Sequence, residues 1–133
     1  MPVLDTSFLV DLMRGQKAAL KKLSKLEDTN TLLCTTPITA LELYRGAYLS
    51  TSPEKNLEYV RTILFALLVL PFDDEVYQIF GVISTRLRSE GRPIGDFDEV
   101  IASIALRHGQ KIITRDKHFL KVPNLTVVQY SSP

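Results

Sequence analysis

What this chain lacks narrows it first. It has a single cysteine, Cys34, inside the apolar run TLLC. One thiol can close no intrachain disulfide and build no zinc site, which points to a reducing compartment, the cytoplasm. No His or Lys stands close to Cys34 in sequence to activate it, so it reads as a small buried hydrophobe. Long apolar runs are missing too: ILFALLVL, from Ile63 to Leu70, ends at Pro71 and is too short to span a bilayer. The opening MPVLDTS has no basic stretch and apolar core of the kind a secretory signal carries. The expectation is a soluble protein with no membrane partner. An excess of either charge is absent as well. The 16 Lys and Arg against 15 Asp and Glu leave a net charge of +1. That excludes a general electrostatic glove for nucleic acid, but not contact with phosphates through bound metal ions.

Several chemical signatures are also absent. There is no G-x-S-x-G elbow, no P-loop and no dinucleotide fingerprint. His108 and His118 have no Cys or His at zinc spacing, so they read as solvated or capping residues. The segment LDTSF places Ser7 where a D-x-D phosphatase needs its second Asp.

What is present is the make-up of an ordinary globular domain. Over 133 residues, 45% are apolar and 23% charged, which suits one domain spanning 1–133 with a real core. No repeat, low-complexity tract or linker divides it. Short apolar runs alternate with helical patterns. The strand candidates are Pro2–Asp5, Thr31–Thr35, Leu67–Leu70, Lys111–Thr114 and Thr126–Gln129. They are continuous and mostly apolar, as strands covered on both faces would be. Helices are predicted over Thr6–Arg14, Gln16–Glu27, Pro37–Tyr48, Asn56–Phe65, Asp74–Glu90 and Asp98–His108. Gly15, Gly91 and Gly109 stop three of them, and Pro37 starts one behind Thr36. In Pro37–Tyr48, Ile38, Leu41, Tyr44 and Tyr48 keep helical spacing. This alternation predicts an α/β fold: an α/β/α sandwich around a central, mainly parallel five-stranded sheet. Functional groups in such sheets gather at the carboxyl ends of the strands.

Acids stand where those strands end. Asp5 closes the first strand, Asp116 follows the fourth, Asp98 opens the helix leading into the fourth, and Glu42 lies early in the helix after the second. Each has a local reading. Asp5, Asp98 and Asp116 could cap helices or close turns, and Thr39 to Glu42 fits a capping box. The joint reading is four carboxylates converging on one rim. Carboxylates so gathered repel, and each disfavours ionisation of the others unless a cation intervenes. Mg²⁺ or Mn²⁺ removes that cost, and all-oxygen sites suit these hard ions. An ion held this way can activate water and neutralise charge on a phosphoryl oxygen, so phosphodiester hydrolysis is the natural use.

The same residues carry a resemblance. VLDTSFLVDLMRG, ITALELYRGA, GRPIGDFDEVIASIALRHG and IITRDKHFLKVPNLTVVQY occur in this order over essentially the whole chain. In that order and spacing the sequence resembles the PIN-domain ribonucleases, and among them the VapC-type toxins of toxin–antitoxin pairs. The resemblance implies a PIN-like fold and an Mg²⁺- or Mn²⁺-dependent endoribonuclease acting on structured RNA and leaving a 5′-phosphate. It places the family's acids on Asp5, Glu42, Asp98 and Asp116, the first three as core ligands. Thr6, Ser7 and Thr114 match hydroxyl positions that could orient ligands or water, or bond to local backbone. Asp96 stands where many relatives carry Pro. It reads as an acid that orients a ligand, an extra ligand or a turn residue, and Glu99 as a first-turn acid favoured by the helix dipole. The resemblance also implies a homodimer and a cognate antitoxin.

Two rival readings stay open: a catalytically inactive PIN-fold module that binds RNA or protein, and a PIN nuclease of RNA processing that works without an antitoxin. Retention of all four acids counts against the first, since a domain freed from catalysis has no reason to gather repelling charges. Lys17, Lys21, Lys22 and Lys25 make one side of the second helix basic, as a solvated face or an RNA-backbone contact. Tyr44, Tyr48, Leu49 and the helix around Leu57–Leu67 are core, or a surface for a partner helix.

Overall fold

The apolar runs between the helical segments form the strands of one sheet. In the computed structural model, which describes residues 1–130, these are β1 (Val3–Leu4), β2 (Cys34–Thr35), β3 (Leu68–Val69), β4 (Ile112–Thr114) and β5 (Val127–Gln129). Their order is β3-β2-β1-β4-β5, and every pair is parallel. The helices are α1 (Thr6–Met13), α2 (Lys17–Asp28), α3 (Pro37–Leu49), α4 (Pro53–Phe65), α5 (Asp74–Ser89) and α6 (Asp96–Arg107), with a 3₁₀ helix over Lys117–Lys121. Pleating sends successive strand residues to opposite faces. Val3 and Ile112 therefore enter one core with residues of α5 and α6, while Leu4 and Ile113 enter another with residues of α1, α2, α3 and α4. This is the α/β/α sandwich that the sequence pattern predicts. No helix among the described residues is long and apolar enough to cross a membrane.

Local chemistry starts the helices where the sequence places them. The side chains of Asp5, Gln16, Thr36 and Asp73 accept from the backbone N–H of Phe8, Ala19, Thr39 and Val76 and so cap α1, α2, α3 and α5. Cys34 is fully buried in β2, and burial pushes its thiol up to about 11, as an inert core residue.

Four features depart from the sequence pattern. β3 is an edge strand, and Leu68 and Val69 are exposed rather than covered on both faces. In α3 the buried stripe is Thr39, Leu43 and Ala47, whereas Leu41 and Tyr48 face solvent, because the helix docks through its smaller residues. α4 starts at Pro53, three residues ahead of Asn56, with proline at the first turn where its missing N–H costs nothing. α6 starts at Asp96, two residues ahead of Asp98, behind Gly95 with φ 103° and ψ 147°. Only glycine holds that backbone conformation without strain, so no side-chain cap marks the start in the sequence.

Glu99, in the first turn of α6, points inward. It is 0% exposed, and its Oε2 accepts from the Ile94 N–H at 3.3 Å, tying the Gly91–Gly95 turn to the helix. Its Oε1 is the one buried side-chain oxygen or nitrogen among the described residues with no hydrogen-bond partner. A first-turn acid expected at the helix dipole is thus a buried anchor of the loop.

Strand order locates the functional rim. From β1 the chain steps outward through β2 to β3, then crosses back to lay β4 and β5 on the other side of β1. The order reverses between β1 and β4, and a crevice opens there beyond the carboxyl ends of the strands.

The Gly95 geometry gives a paired test. Nothing lies within 4 Å of a Cβ added at Gly95 or at Gly81, which sits mid-helix in α5, so only the backbone distinguishes the two. Gly95→Ala should destabilise by about 1–3 kcal/mol. Gly81→Ala should stabilise by about 0.5–1 kcal/mol. Urea unfolding midpoints measure both, and equal signs would refute the backbone account.

Candidate functional site

Asp5 leaves β1 at the crevice and is 3% exposed. Its Oδ1 accepts from the Phe8 N–H and the Ser7 hydroxyl, both at 2.9 Å. Its Oδ2 accepts from the Thr114 hydroxyl at 2.5 Å, a contact that exists because β4 lies beside β1. Asp5 is therefore both a helix cap and a member of the rim. Thr114 Oγ1 also accepts from the Asp116 N–H at 2.8 Å, which turns the chain as it leaves β4. Asp116 then caps the 3₁₀ helix, its Oδ1 accepting from the His118 N–H at 2.9 Å.

Glu42 comes from the second turn of α3, where Thr6 Oγ1 donates to its Oε1 at 2.6 Å. Asp98 is the third residue of α6 and caps nothing. Among the hydrogen bonds and ion pairs of the described residues none involves its carboxylate, so backbone position alone holds it at the rim. Asp98, Asp116 and His118 each present one donor atom, all within 4.8 Å of one another. His118 Nδ1 lies 3.1 Å from Asp116 Oδ1.

The electrostatics register the crowding. Burial, followed by the charges of Asp116, Glu42 and Asp5, pushes Asp98 up to about 6. Asp5 is also pushed up to about 6, chiefly by burial, against the hydrogen bonds from Thr114, Phe8 and Ser7 that favour its charged form. Carboxylates from four distant parts of the chain thus share one field.

The structure does not bring Asp96 to this group. It is exposed, 3.6 Å from Arg88 of α5. Two residues along a helix are just over half a turn, so Asp96 and Asp98 cannot both face the rim. Thr6, Ser7 and Thr114 all reach it, each bonded to an acid.

Sequence reasoning missed two things here. His118 reads as a solvated residue, yet the 3₁₀ turn brings it back onto Asp116. The second is a node beside the rim centred on buried Asp11, which accepts from the Tyr130 hydroxyl and pairs with Nε of half-exposed Arg115 at 3.0 Å, while the Arg115 N–H donates to Ser7 Oγ at 3.2 Å. The available signal was Asp11 itself, an acid on the inner face of α1 three residues after Phe8.

A parallel α/β/α sheet whose switch-point crevice gathers carboxylates and hydroxyls, with no glycine-rich phosphate loop, is a scaffold suited to hard divalent cations. The chain belongs to the PIN domain family, whose family model matches residues 3–125. It is similar to the tRNA(fMet)-specific endonuclease VapC of Shigella flexneri, at 29% identity over 130 residues and 97% of each chain. Ribonuclease VapC2 of Haemophilus influenzae is 29% identical over 114 residues, 86% of this chain and 85% of the relative. Among solved structures, VapBC2 from Rickettsia felis bound to a promoter DNA fragment superposes with a TM-score of 0.89 at 25% identity, over 97% of this chain and 98% of that one.

The raised acids set a pH dependence for the metal-free protein. An acid whose pKa rises from 3.8 to about 6 on folding binds more protons in the native than in the unfolded state between those values. Its contribution to stability therefore falls as pH rises from about 4 to about 6. In chelator at pH 7.5, Asp98→Asn should raise Tm by about 4 °C, roughly what relief of 1 kcal/mol gives at this size. At pH 4.5 the gain should shrink toward zero. A pH-independent difference in the melting curves would mean that charge repulsion is not its source.

Proposed function

We propose that this chain is a metal-dependent endoribonuclease, the toxin of a type II toxin–antitoxin pair working in the cytoplasm. The observation that carries this reading is the convergence of Asp5, Glu42, Asp98 and Asp116 on one crevice, with Asp98 raised by burial and then by its three acidic neighbours. The names of the VapC relatives and the VapBC assembly support it.

A divalent cation fits the residues present. The donor set is dominated by carboxylate oxygens, their mutual repulsion is the cost that a hard cation removes, and among the described residues the Asp98 carboxylate makes no hydrogen bond or ion pair that a cation would have to displace. Asp5, Glu42 and Asp98 would hold it, with Asp116 alongside. Bound there, Mg²⁺ or Mn²⁺ supplies activated water and positive charge for a phosphoryl oxygen. The chain's own contribution is orientation. Ser7 and Thr114 fix the Asp5 carboxylate from two sides, Thr6 fixes Glu42, and Asp116 takes its position from the Thr114 hydroxyl and its own cap. Hydrolysis of the RNA backbone would leave a 5′-phosphate.

The same reading brings a cognate antitoxin and a homodimer. Tyr48, Leu49 and Phe65, on α3 and α4, stand in solvent, Phe65 with 94% of its surface exposed. Apolar side chains left out in this way are surface that a partner helix or a second copy can bury.

Purified protein freed of antitoxin should cut cellular RNA with Mg²⁺ or Mn²⁺ and not with EDTA. Asp98→Asn should abolish cutting, Thr114→Val should slow it about 10- to 100-fold, and Asp96→Asn should leave it close to wild type. Loss of activity with Asp96→Asn but not Asp98→Asn would put the wrong acid at the centre. A correctly folded protein with no metal-dependent cutting would favour the inactive binding module, and cutting with no antitoxin encoded beside it would favour RNA processing.

A further inference from the structure

The basic side of α2 is not absorbed by the acidic crevice, and the structure gives it a definite form. Ala18, Lys21, Lys22 and Lys25 occupy one face of the helix, and with Tyr130 they line a concavity of about 320 Å³. A second concavity, of about 360 Å³, is lined by Ser7, Arg115, Asp116 and Lys117 and so includes one acid of the rim. The node around buried Asp11 joins the two. Tyr130, in the wall of the lysine pocket, donates to Asp11; Asp11 pairs with Arg115, a wall of the other; and the Arg115 N–H donates to Ser7, which holds Asp5. Hydrogen bonds and an ion pair therefore run from Tyr130, in the wall of the lysine pocket, to the first acid of the rim.

Charge gives this path its direction. Lys17, Lys21 and Lys25 follow one another at four-residue intervals, a spacing at which like charges destabilise a helix. Among the described residues none of Lys17, Lys21, Lys22 and Lys25 forms a salt bridge, and Asp11, the buried acid nearest the path, is occupied by Arg115 and Tyr130. The chain as a whole carries a net charge of only +1, so the cationic character of this face is local. An unneutralised cluster opposite an aromatic wall suits a phosphodiester backbone, which supplies anionic oxygens and bases with π-faces at once.

We infer that Lys21, Lys22 and Lys25, facing Tyr130, form a second RNA-backbone site, which holds substrate phosphates away from the cut while Arg115 and Lys117 guide the strand across the acids. This rests on the nuclease reading for what happens at the rim, but not for the binding itself.

The test is binding of fluorescein-labelled, unfractionated transfer RNA in EDTA, where no cutting intervenes, across a series of NaCl concentrations. Each lost phosphate contact reduces the slope of log K against log [salt] by about 0.7–0.9. Lys21→Gln/Lys25→Gln should therefore lower the slope by about 1.5. Lys55→Gln/Lys111→Gln, with the same change in net charge on α4 and beside β4, should not. Equal slopes for the two double variants, or no change in either, would overturn the site and return the lysines to a solvated face. Tighter lysine-dependent binding of poly-glutamate than of transfer RNA would overturn the RNA assignment in favour of an acidic protein segment. A lysine-dependent slope in a protein that cuts nothing with Mg²⁺ or Mn²⁺ would uphold the site while the nuclease reading fails.

Discussion

The parallel pairing of β1 with β4 is the constraint on which the rest depends. It sets Val3 against Ile112 and Leu4 against Ile113, and so brings the residues just beyond, Asp5 and Thr114, within hydrogen-bonding reach. These two strands are only two and three residues long, and their side chains are buried on both faces by separate cores. Because the strand order reverses at this pair, no neighbouring connection covers its carboxyl end. The crevice and its first acid are consequences of one pairing.

Gathering acids at that place has a cost that the surroundings offset in part. Burial and mutual repulsion push Asp5 and Asp98 up to about 6. The hydroxyls of Ser7 and Thr114 and the Phe8 N–H favour the charged form of Asp5. Thr6 donates to Glu42 and holds its carboxylate in place, and its own position at the start of α1 follows from the cap that Asp5 supplies. Caps and site are therefore not competing explanations for these acids. Asp5 and Asp116 start helices with the same carboxylates that stand at the rim, whereas Asp98 escapes capping because Gly95 starts its helix without a side chain. A group with no local partner is the one most affected by its neighbours' charges.

The molecule separates its charges in space. Acids occupy the crevice and lysines the outer face of α2, and between them Asp11 neutralises Arg115 while accepting from Tyr130. A carboxylate that is 5% exposed needs such partners, and in meeting them it ties α1, the end of β4 and the chain after β5 into one unit. The stabilising node thus also sets where positive charge stands relative to the acids.

Much of this was legible in the order of residues. Continuous apolar runs such as KIIT gave buried parallel strands, caps such as Thr36–Pro37 and Asp73 marked helix starts, and alternation of the two dictated the sandwich, because each of these signals acts within a few residues of itself. Asp5, Glu42, Asp98 and Asp116 stood out as acids near strand ends by the same local logic. Other features came only with tertiary structure. A glycine cap leaves no side-chain signal, so α6 is expected two residues late, and Glu99 reads as a first-turn acid favoured by the helix dipole, whereas the fold makes it a buried anchor. Apolar spacing in α3 picked out Leu41 and Tyr48, but docking selected Thr39, Leu43 and Ala47. His118, Asp11 and Tyr130 acquired their places from contacts across the fold, Tyr130 reaching Asp11 over more than a hundred residues of chain. Sequence by itself determined what each segment would become and which acids stood at strand ends. Which side chains share a field was decided only when β1 and β4 came together, because electrostatic and hydrogen-bond energies depend on distance in space, and the chain carries no local record of that distance.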